Sequence, residues 1–423
     1  MTHFGVICPN SIGHINAMLC LGRELQQRGH QVTLFAHLDV QAKIQTAGLG
    51  FQAIGEEEFP VGSMAASLGK LGELSGLAAL RYTIQLLKQG TMVRLRDTPE
   101  LIKKVGVEAL LVDRVTSEGG TVAEYLGIPF ITICNALLLH REPSIPPFHT
   151  TWEYNQAWWA ILRNKMGYKI LDSVTKPLRN ITNEYRKKWH LPLDLDSRDR
   201  DGELAQLSQQ PPEFEYPRQN LPPWFHFTGP YHSIASREPI SFPYEQLSDK
   251  PLIYVSMGTI QNQLTWIFQN IAAACAELDV QLVISLGGST KPELLPQLPG
   301  NPIVVEYAPQ LELLPQATLT ITHAGMNTTM ESLRNGVPMV AIPITNDQPG
   351  VAARIVWTGT GELVPLKKAS VSRLQKAIQR VLREDSYKKH ALRLQEAIER
   401  AGGVKRAVDI IEKAISTGKR VVD

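Results

Sequence analysis

The chain is short of net charge, of cysteine and of long hydrophobic runs, and each shortage removes a class of function. Lys plus Arg number 43 and Asp plus Glu 41, a net of +2. No large field of one sign follows, so nucleic acid is not an expected partner. There are four cysteines, Cys8, Cys20, Cys134 and Cys275, and none stands in a C-x-x-C pair. Cys8 and Cys134 lie in apolar, strand-like runs, where a buried reduced thiol is the plain reading. A reducing, cytoplasmic compartment fits. The longest near-continuous apolar run, Ile128 to Leu139, falls short of the ~20 residues a membrane span needs. It reads as a buried strand and its exit. The first residues, MTHFGVICPNS, have no basic segment followed by an apolar stretch, so no secretory signal is expected. The first turn, Asn10 to Asn16, contains only Gly13. A nicotinamide-binding enzyme would need G-x-G-x-x-G there, and that reading is set aside.

What is present is a globular composition, 43% hydrophobic and 20% charged over 423 residues, long enough for about two domains. A strand from Phe4 to Cys8, a helix from near His14 to Gly29 and a strand from Gln31 to Ala36 make a βαβ unit, hence a parallel sheet. The alternation recurs at Ala109–Val112, Val122–Leu126 and Pro129–Cys134. The second half repeats it: strands at Pro251–Ser256, Gln281–Leu286, Pro302–Glu306, Thr318–Thr322 and Pro338–Pro343, helices at Thr265–Leu278 and Asn327–Arg334. The expected fold is α/β, with two doubly wound, Rossmann-like parallel-sheet domains facing across a cleft. The prolines between Tyr216 and Lys250 break regular structure. They suggest an N-terminal domain over 1–225, a linker over 226–250, a C-terminal domain over 251–400, and a tail over 401–423. The tail contains an amphipathic helix, Val404–Ser416, which could pack back on the first domain. Residues 140 to 190 carry Phe148, Trp152, Tyr154, Trp158, Trp159 and Tyr168 and read as a helical insertion. Its aromatics serve core packing, an apolar acceptor pocket, or both.

Three groups of residues could carry chemistry at the strand ends, where doubly wound sheets bind ligands. His14 opens the first helix after Ser11, Ile12 and Gly13. The positive helix end favours a neutral imidazole, which suits a general base. Asp113 closes the strand Ala109–Val112 at the same sheet edge and could orient that imidazole; a helix cap is the alternative. The third group is ordered along the chain: Tyr307, Ala308, Pro309 and Gln310, then His323 to Glu331, then Asn346, Asp347 and Gln348. Gly325 before a helix offers N–H groups to a phosphate. His323 and Thr328 add donors, Glu331 could accept from ribose hydroxyls, and Asp347 with Gln348 could grip a sugar.

Taken together, these residues resemble the donor signature of family 1 glycosyltransferases of the GT-B fold. The likeness is strongest to the bacterial zeaxanthin glucosyltransferases. It rests on ITHAGMN (Ile321–Asn327), DQPGVAARIV (Asp347–Val356), NALLLHREP (Asn135–Pro143), YPR (Tyr216–Arg218) and FHFTGP (Phe225–Pro230). The resemblance implies His14 as base with Asp113 as its partner. It implies that Tyr307, Ala308 and Gln310 hold the base and ribose end, and that Glu331 takes the ribose hydroxyls. His323, Asn327 and Thr328, with the backbone at Gly325 and at Gly13, would hold the diphosphate. Ser256 and Thr259, in the Ser-Met-Gly-Thr turn with Gly258, would approach it from the other side. Asp347 and Gln348 would hold the sugar. Tyr307 stands where the plant signature has Trp, which leaves thymine beside uracil as the base.

The implied reaction is an inverting transfer of glucose from a UDP-sugar co-substrate to a hydroxyl of a small lipophilic acceptor, such as a xanthophyll, terpenoid or polyphenol. No metal and no other cofactor is expected. Asp194 and Asp196 read as a solvated loop rather than a metal site. Two alternatives stay open: a non-catalytic sugar-nucleotide or lipid-binding module, and a hexosaminyl-transferring relative acting on cell-wall precursors. Weak contact with a membrane surface has one candidate, Arg163 to Lys169 beside Trp158 and Trp159.

Overall fold

A computed structural model of the chain describes residues 1–74, 76–193, 202–233, 239–258, 264–288 and 291–422. The first half runs β1 (His3–Ile7), α1 (Ile12–Gln27), β2 (Gln31–Ala36), α2 (Gln41–Thr46), β3 (Gly50–Ala53), α3 (Ser63–Glu73), α4 (Gly76–Val105), β4 (Ala109–Asp113), α5 (Glu118–Leu126), β5 (Phe130–Cys134), α6 (Trp158–Lys188), β6 (Glu203–Ser208) and β7 (Phe225–Phe227). The second half runs β8 (Leu252–Ser256), α7 (Thr265–Cys275), β9 (Gln281–Ser285), β10 (Ile303–Val305), α8 (Gln310–Leu313), β11 (Ala317–Thr322), α9 (Met326–Arg334), β12 (Met339–Ala341), α10 (Gln348–Trp357), β13 (Gly361–Leu363), α11 (Val371–Arg383), α12 (Asp385–Ala401) and α13 (Gly403–Thr417).

Two parallel sheets result, in the orders β3-β2-β1-β4-β5-β6-β7 and β10-β9-β8-β11-β12-β13. Strands such as β4 (ALLVD) and β5 (FITIC) are buried at every position. Continuous apolar runs of this kind belong to sheets covered on both faces. Each sheet has a switch point, β1/β4 in the first and β8/β11 in the second, where the strand order reverses and a crevice opens. Register sets what stands at each. Ile7 pairs Val112, so Asp113 is the next residue out; Thr322 pairs Ser256, so His323 is the next residue out in the other sheet.

The structure departs from the sequence reading at several places. β6 (ELAQLS) is wholly buried although it contains Glu203 and Gln206. The two satisfy each other, Gln206 Nε2 donating to Glu203 Oε2 at 2.8 Å, and their polarity hides the strand. β7 pairs with β6 through Phe227, and Tyr231 joins the first core. The first domain therefore reaches into the stretch read as linker. α4 and α6 are longer than any helix expected. Asp194 and Asp196 lie outside the described residues.

The two sheets meet in a closed arrangement. Gly350 N–H donates to Phe148 O at 3.0 Å. Arg354 of α10, 1% exposed, reaches Glu215 beyond β6 with Nε at 3.1 Å. It also stacks on Tyr216, its guanidinium carbon 4.1 Å from the ring centre. Burial works against the Glu215 carboxylate, but Arg354 and Arg218 outweigh it and hold its pKa below the ordinary value. Aromatics of the insertion serve this junction. Tyr154 stacks on Tyr216 at 5.1 Å, and Trp357 meets both edge-on. Trp158 and Trp159 lie outside the core, being exposed.

The chain then crosses back. It turns at Gly402, whose φ of +86° suits glycine. α13 lies among the residues of the first core, and Arg28, just past the end of α1, reaches Asp409 and Glu412 at 2.6 and 2.8 Å.

Replacing Glu215 with Ala leaves the Arg354 guanidinium buried without its carboxylate. The expected loss is about 3–5 kcal/mol of stability in equilibrium urea unfolding. A loss below 1 kcal/mol, the scale of an exposed pair, would contradict the account of this junction.

Candidate active site

At the first switch point, His14 sits in the first turn of α1 and Asp113 at the end of β4. His14 Nδ1 lies 2.6 Å from Asp113 Oδ2. The same oxygen accepts from Asn135 Nδ2 at 2.8 Å, and the other carboxylate oxygen accepts from Val115 N–H at 2.8 Å. Asp113 is fully buried and surrounded by donors. A carboxylate so placed can only accept, so His14 Nδ1 carries the hydrogen and Nε2 is left as the site for a proton. The His14 side chain is 20% exposed, enough to meet a ligand.

The sequence reading has the helix end keeping this imidazole neutral. Instead its pKa lies above the ordinary 6.5. Burial disfavours the imidazolium, but the charge and hydrogen bond of Asp113, joined by the charge of Asp347, outweigh it. Asn135 was not singled out for this role. It follows β5 at the same sheet edge, and the sequence marks it only by that position and as the start of the NALLLHREP match.

At the second switch point, His323 follows β11. Its Nδ1 is 3.4 Å from the Ser256 carbonyl oxygen. The ring lies between two glycines: a Cβ at Gly258 would stand 2.6 Å from Nε2, and one at Gly325 would stand 2.4 Å from it. Any other residue at either position would push the imidazole out. Burial, only partly opposed by the Ser256 carbonyl, takes the His323 pKa down to about 4, so the ring is neutral near pH 7. Neither Ser11 at the start of α1 nor Gly325 at the start of α9 makes a side-chain cap hydrogen bond among the described residues. The N–H groups of these first turns are therefore available to an anion.

The other expected donor residues gather around this end. Gln310 Oε1 is 3.2 Å from Tyr254 Oη and 3.5 Å from Thr328 Oγ1, and its amide donates to Glu331. Glu331 is buried, so its carboxylate faces Gln310 rather than open solvent. Ala308 is buried and Tyr307 is half exposed. The tyrosine hydroxyl lies against Gly288, where a Cβ would stand 1.8 Å away. Gln348 Oε1 accepts from Ile344 and Thr345 N–H at 2.9 Å each, which leaves its NH2 end to reach a hydroxyl. Thr259 lies outside the described residues.

Two residues expected on the donor also tie the domains together. Asn327 Nδ2 donates to Gly13 O at 2.9 Å, and its Oδ1 accepts from Gln209 Nε2 at 3.0 Å. Both ends of its amide thus engage the other domain, because the first turns of α1 and α9 face each other. Asp347 Oδ2 accepts from Leu137 N–H at 3.0 Å. Gln209 and Leu137 escaped the sequence reading, since nothing local marks a residue that meets a partner so distant in sequence. The assembled arrangement brings together the His14–Asp113 pair, the first turns of α1 and α9, the His323 imidazole and the Asp347 carboxylate.

Comparison with known proteins bears on what this cleft does. The family described as UDP-glucoronosyl and UDP-glucosyl transferase matches residues 203–406. A zeaxanthin glucosyltransferase of Pantoea ananas is 32% identical over 100% of this chain and 98% of its own length. A zeaxanthin glucosyltransferase of Pseudescherichia vulneris is 30% identical over 100% of both. Among solved structures, the calicheamicin glycosyltransferase CalG4 superposes with a TM-score of 0.74 at 19% identity, covering 99% of each chain. At that identity the likeness establishes the fold.

The two cleft histidines should separate in a histidine NMR titration of the free protein. His14 is expected to titrate above 6.5 and His323 at about 4. Asp113→Asn removes the charge that overcomes burial and should carry the His14 midpoint downward; an unmoved midpoint would refute the coupling.

Proposed function

The chain belongs to the UDP-glucoronosyl and UDP-glucosyl transferase family and is a glycosyltransferase; on that premise we propose that it transfers glucose from UDP-glucose, with inversion, to a hydroxyl of a small lipophilic acceptor. The carrying observation is the His14–Asp113 pair at 2.6 Å, set across a closed cleft from Asp347, whose charge reaches His14. His14 Nε2 takes the acceptor's hydroxyl proton. The freed oxygen attacks the anomeric carbon, and the nucleoside diphosphate leaves from the opposite face. Asp113 steadies the imidazolium that forms. The N–H groups of α9 and the imidazole of His323 receive the leaving phosphate charge. Asp347 and Gln348 hold the sugar, Glu331 the ribose, and Tyr307 the base.

We read the reaction as metal-independent. On this reading the N–H groups of α9 and the His323 imidazole supply the charge stabilisation in place of an ion. The lipophilic acceptor is supported by the two zeaxanthin glucosyltransferases that match over their full length.

The test is a product assay with UDP-glucose and a panel of hydroxylated carotenoids and polyphenols, run with and without chelator. The expected result is glycoside of inverted anomeric configuration at a rate chelator does not change. His14→Ala should lower kcat about 10²–10⁴-fold with UDP affinity kept. Turnover that survives this substitution would overturn the base assignment. Because His14 must be neutral to act, kcat/KM should fall as pH drops through its raised pKa.

Asp347→Ala should weaken binding of UDP-glucose well beyond its effect on UDP, measured by calorimetry. Equal weakening of both would remove Asp347 from the sugar and leave it only a domain tie.

A further inference from the structure

Helix α6 presents an apolar stripe to the outside. Trp158, Leu162, Met166 and Ile170 are 77, 52, 59 and 63% exposed. A spacing of four residues places them along one side of a helix. The packing side is a different one. Ala160, Asn164 and Gly167 are buried, Asn164 Nδ2 donates to Pro143 O at 3.0 Å, and Tyr168 Oη donates to Ile145 O at 3.0 Å. The stripe is thus surplus to the fold. Single exposed apolar residues are ordinary on any surface; a contiguous row that includes an exposed tryptophan marks a contact surface.

Charge says what would cover it. Lys165 and Lys169, both exposed, border the stripe, and Lys176 continues the line. From Trp158 to Lys176 the one carboxylate is Asp172, and Arg141 holds it. Arg163 lies over Trp152 and Trp159, its guanidinium carbon 4.7 and 5.5 Å from the ring centres. This local excess of cations stands in a chain whose total is only +2. A second copy seated on this face would bring the same lysines, with its one carboxylate, Asp172, already held by Arg141. An anionic lipid surface offers both phosphates for the lysines and an apolar layer for the stripe. Among the described residues no helix is long and apolar enough to cross a membrane, so the contact is with the surface.

We propose that the outer face of α6 docks this protein on an anionic bilayer, with Trp158, Leu162, Met166 and Ile170 entering the interface and Lys165 and Lys169 at the phosphates. The stem carbons of the lysines can lie along the apolar layer while their ammonium groups stay at the headgroups. The docked face is joined to the cleft by one loop. That loop leaves β5 at Asn135, which holds Asp113, passes Leu137, which meets Asp347, and lies on the inner side of α6 through Pro143 and Ile145. Delivery of a membrane-dissolved alcohol to His14 would rest on the proposed function; the surface contact does not.

The experiment floats the full chain with vesicles of phosphatidylcholine alone and of phosphatidylcholine mixed with phosphatidylglycerol, with no donor or acceptor present. The protein is expected to float with the mixed vesicles and to be released by raised salt. Lys165→Ser with Lys169→Ser should lower the partition coefficient about 25-fold, from about fivefold per lysine. Met166→Glu with Ile170→Glu should abolish flotation while UDP affinity stays unchanged, which shows the fold intact. Absence of wild-type flotation would overturn the proposal, as would flotation indifferent to these glutamates. A wild-type dimer in sedimentation that the glutamates disperse would give the face to a second copy and overturn it too. Vesicle binding and product formation are read separately, so failure of one reading is distinct from failure of the other.

Discussion

The carboxylate of Asp113 is fully buried, and a buried charge is tolerable only when donors surround it. Here the donors come from three segments: the backbone at Val115, the amide of Asn135 and the imidazole of His14. They converge only if β1, β4 and β5 keep their register, so the order of the first sheet and the state of its histidine are one constraint. The short bond from His14 chooses the tautomer, leaves Nε2 toward the cleft and lifts the imidazole pKa against the effect of burial. His323 shows the contrary outcome in the second sheet. It has a carbonyl rather than a carboxylate beside it, and burial carries its pKa down to about 4. Two histidines, one at the switch point of each sheet, are thereby set to different tasks.

Closure of the domains depends on a small set of polar ties over a buried ion pair. Arg354 and Glu215 are each almost wholly removed from water, and Arg354 also stacks on Tyr216. Around them, Asn327 reaches Gly13 and Asp347 reaches Leu137. On the proposed reading these last two side chains also meet the donor. Donor binding and domain closure would then act through the same atoms, which couples occupancy of the cleft to its shape.

Much of the site was legible because a doubly wound fold places the residue after each strand at one edge. The strand Ala109–Val112 announces itself by continuous apolar residues, and Asp113 follows. Thr318–Thr322 (TLTIT) is marked instead by β-branched residues in alternation, His323 follows it, and Gly325 suits a helix start. β6 was illegible because Gln206 donates a hydrogen bond to Glu203 inside the sheet, a pairing that a period-two pattern does not represent. Asn135, Gln209 and Leu137 were illegible as site residues for a different reason. Each acts on a partner brought near only by assembly, and Leu137 acts through its backbone, where side-chain identity carries no signal.

By itself the sequence determined the α/β class, the two parallel sheets and which residues stand at their carboxyl edges, because periodicity and the turn after each strand are local properties. Only the tertiary structure decided that Asp113 is buried among donors, that His14 leans toward the cation while His323 stays neutral, and that Asn327 and Asp347 span the cleft. It also decided that Trp158 and Trp159 face outward. Burial and electrostatic coupling depend on what surrounds a group in space, and those surroundings exist only once the two domains and the returning helix α13 have packed.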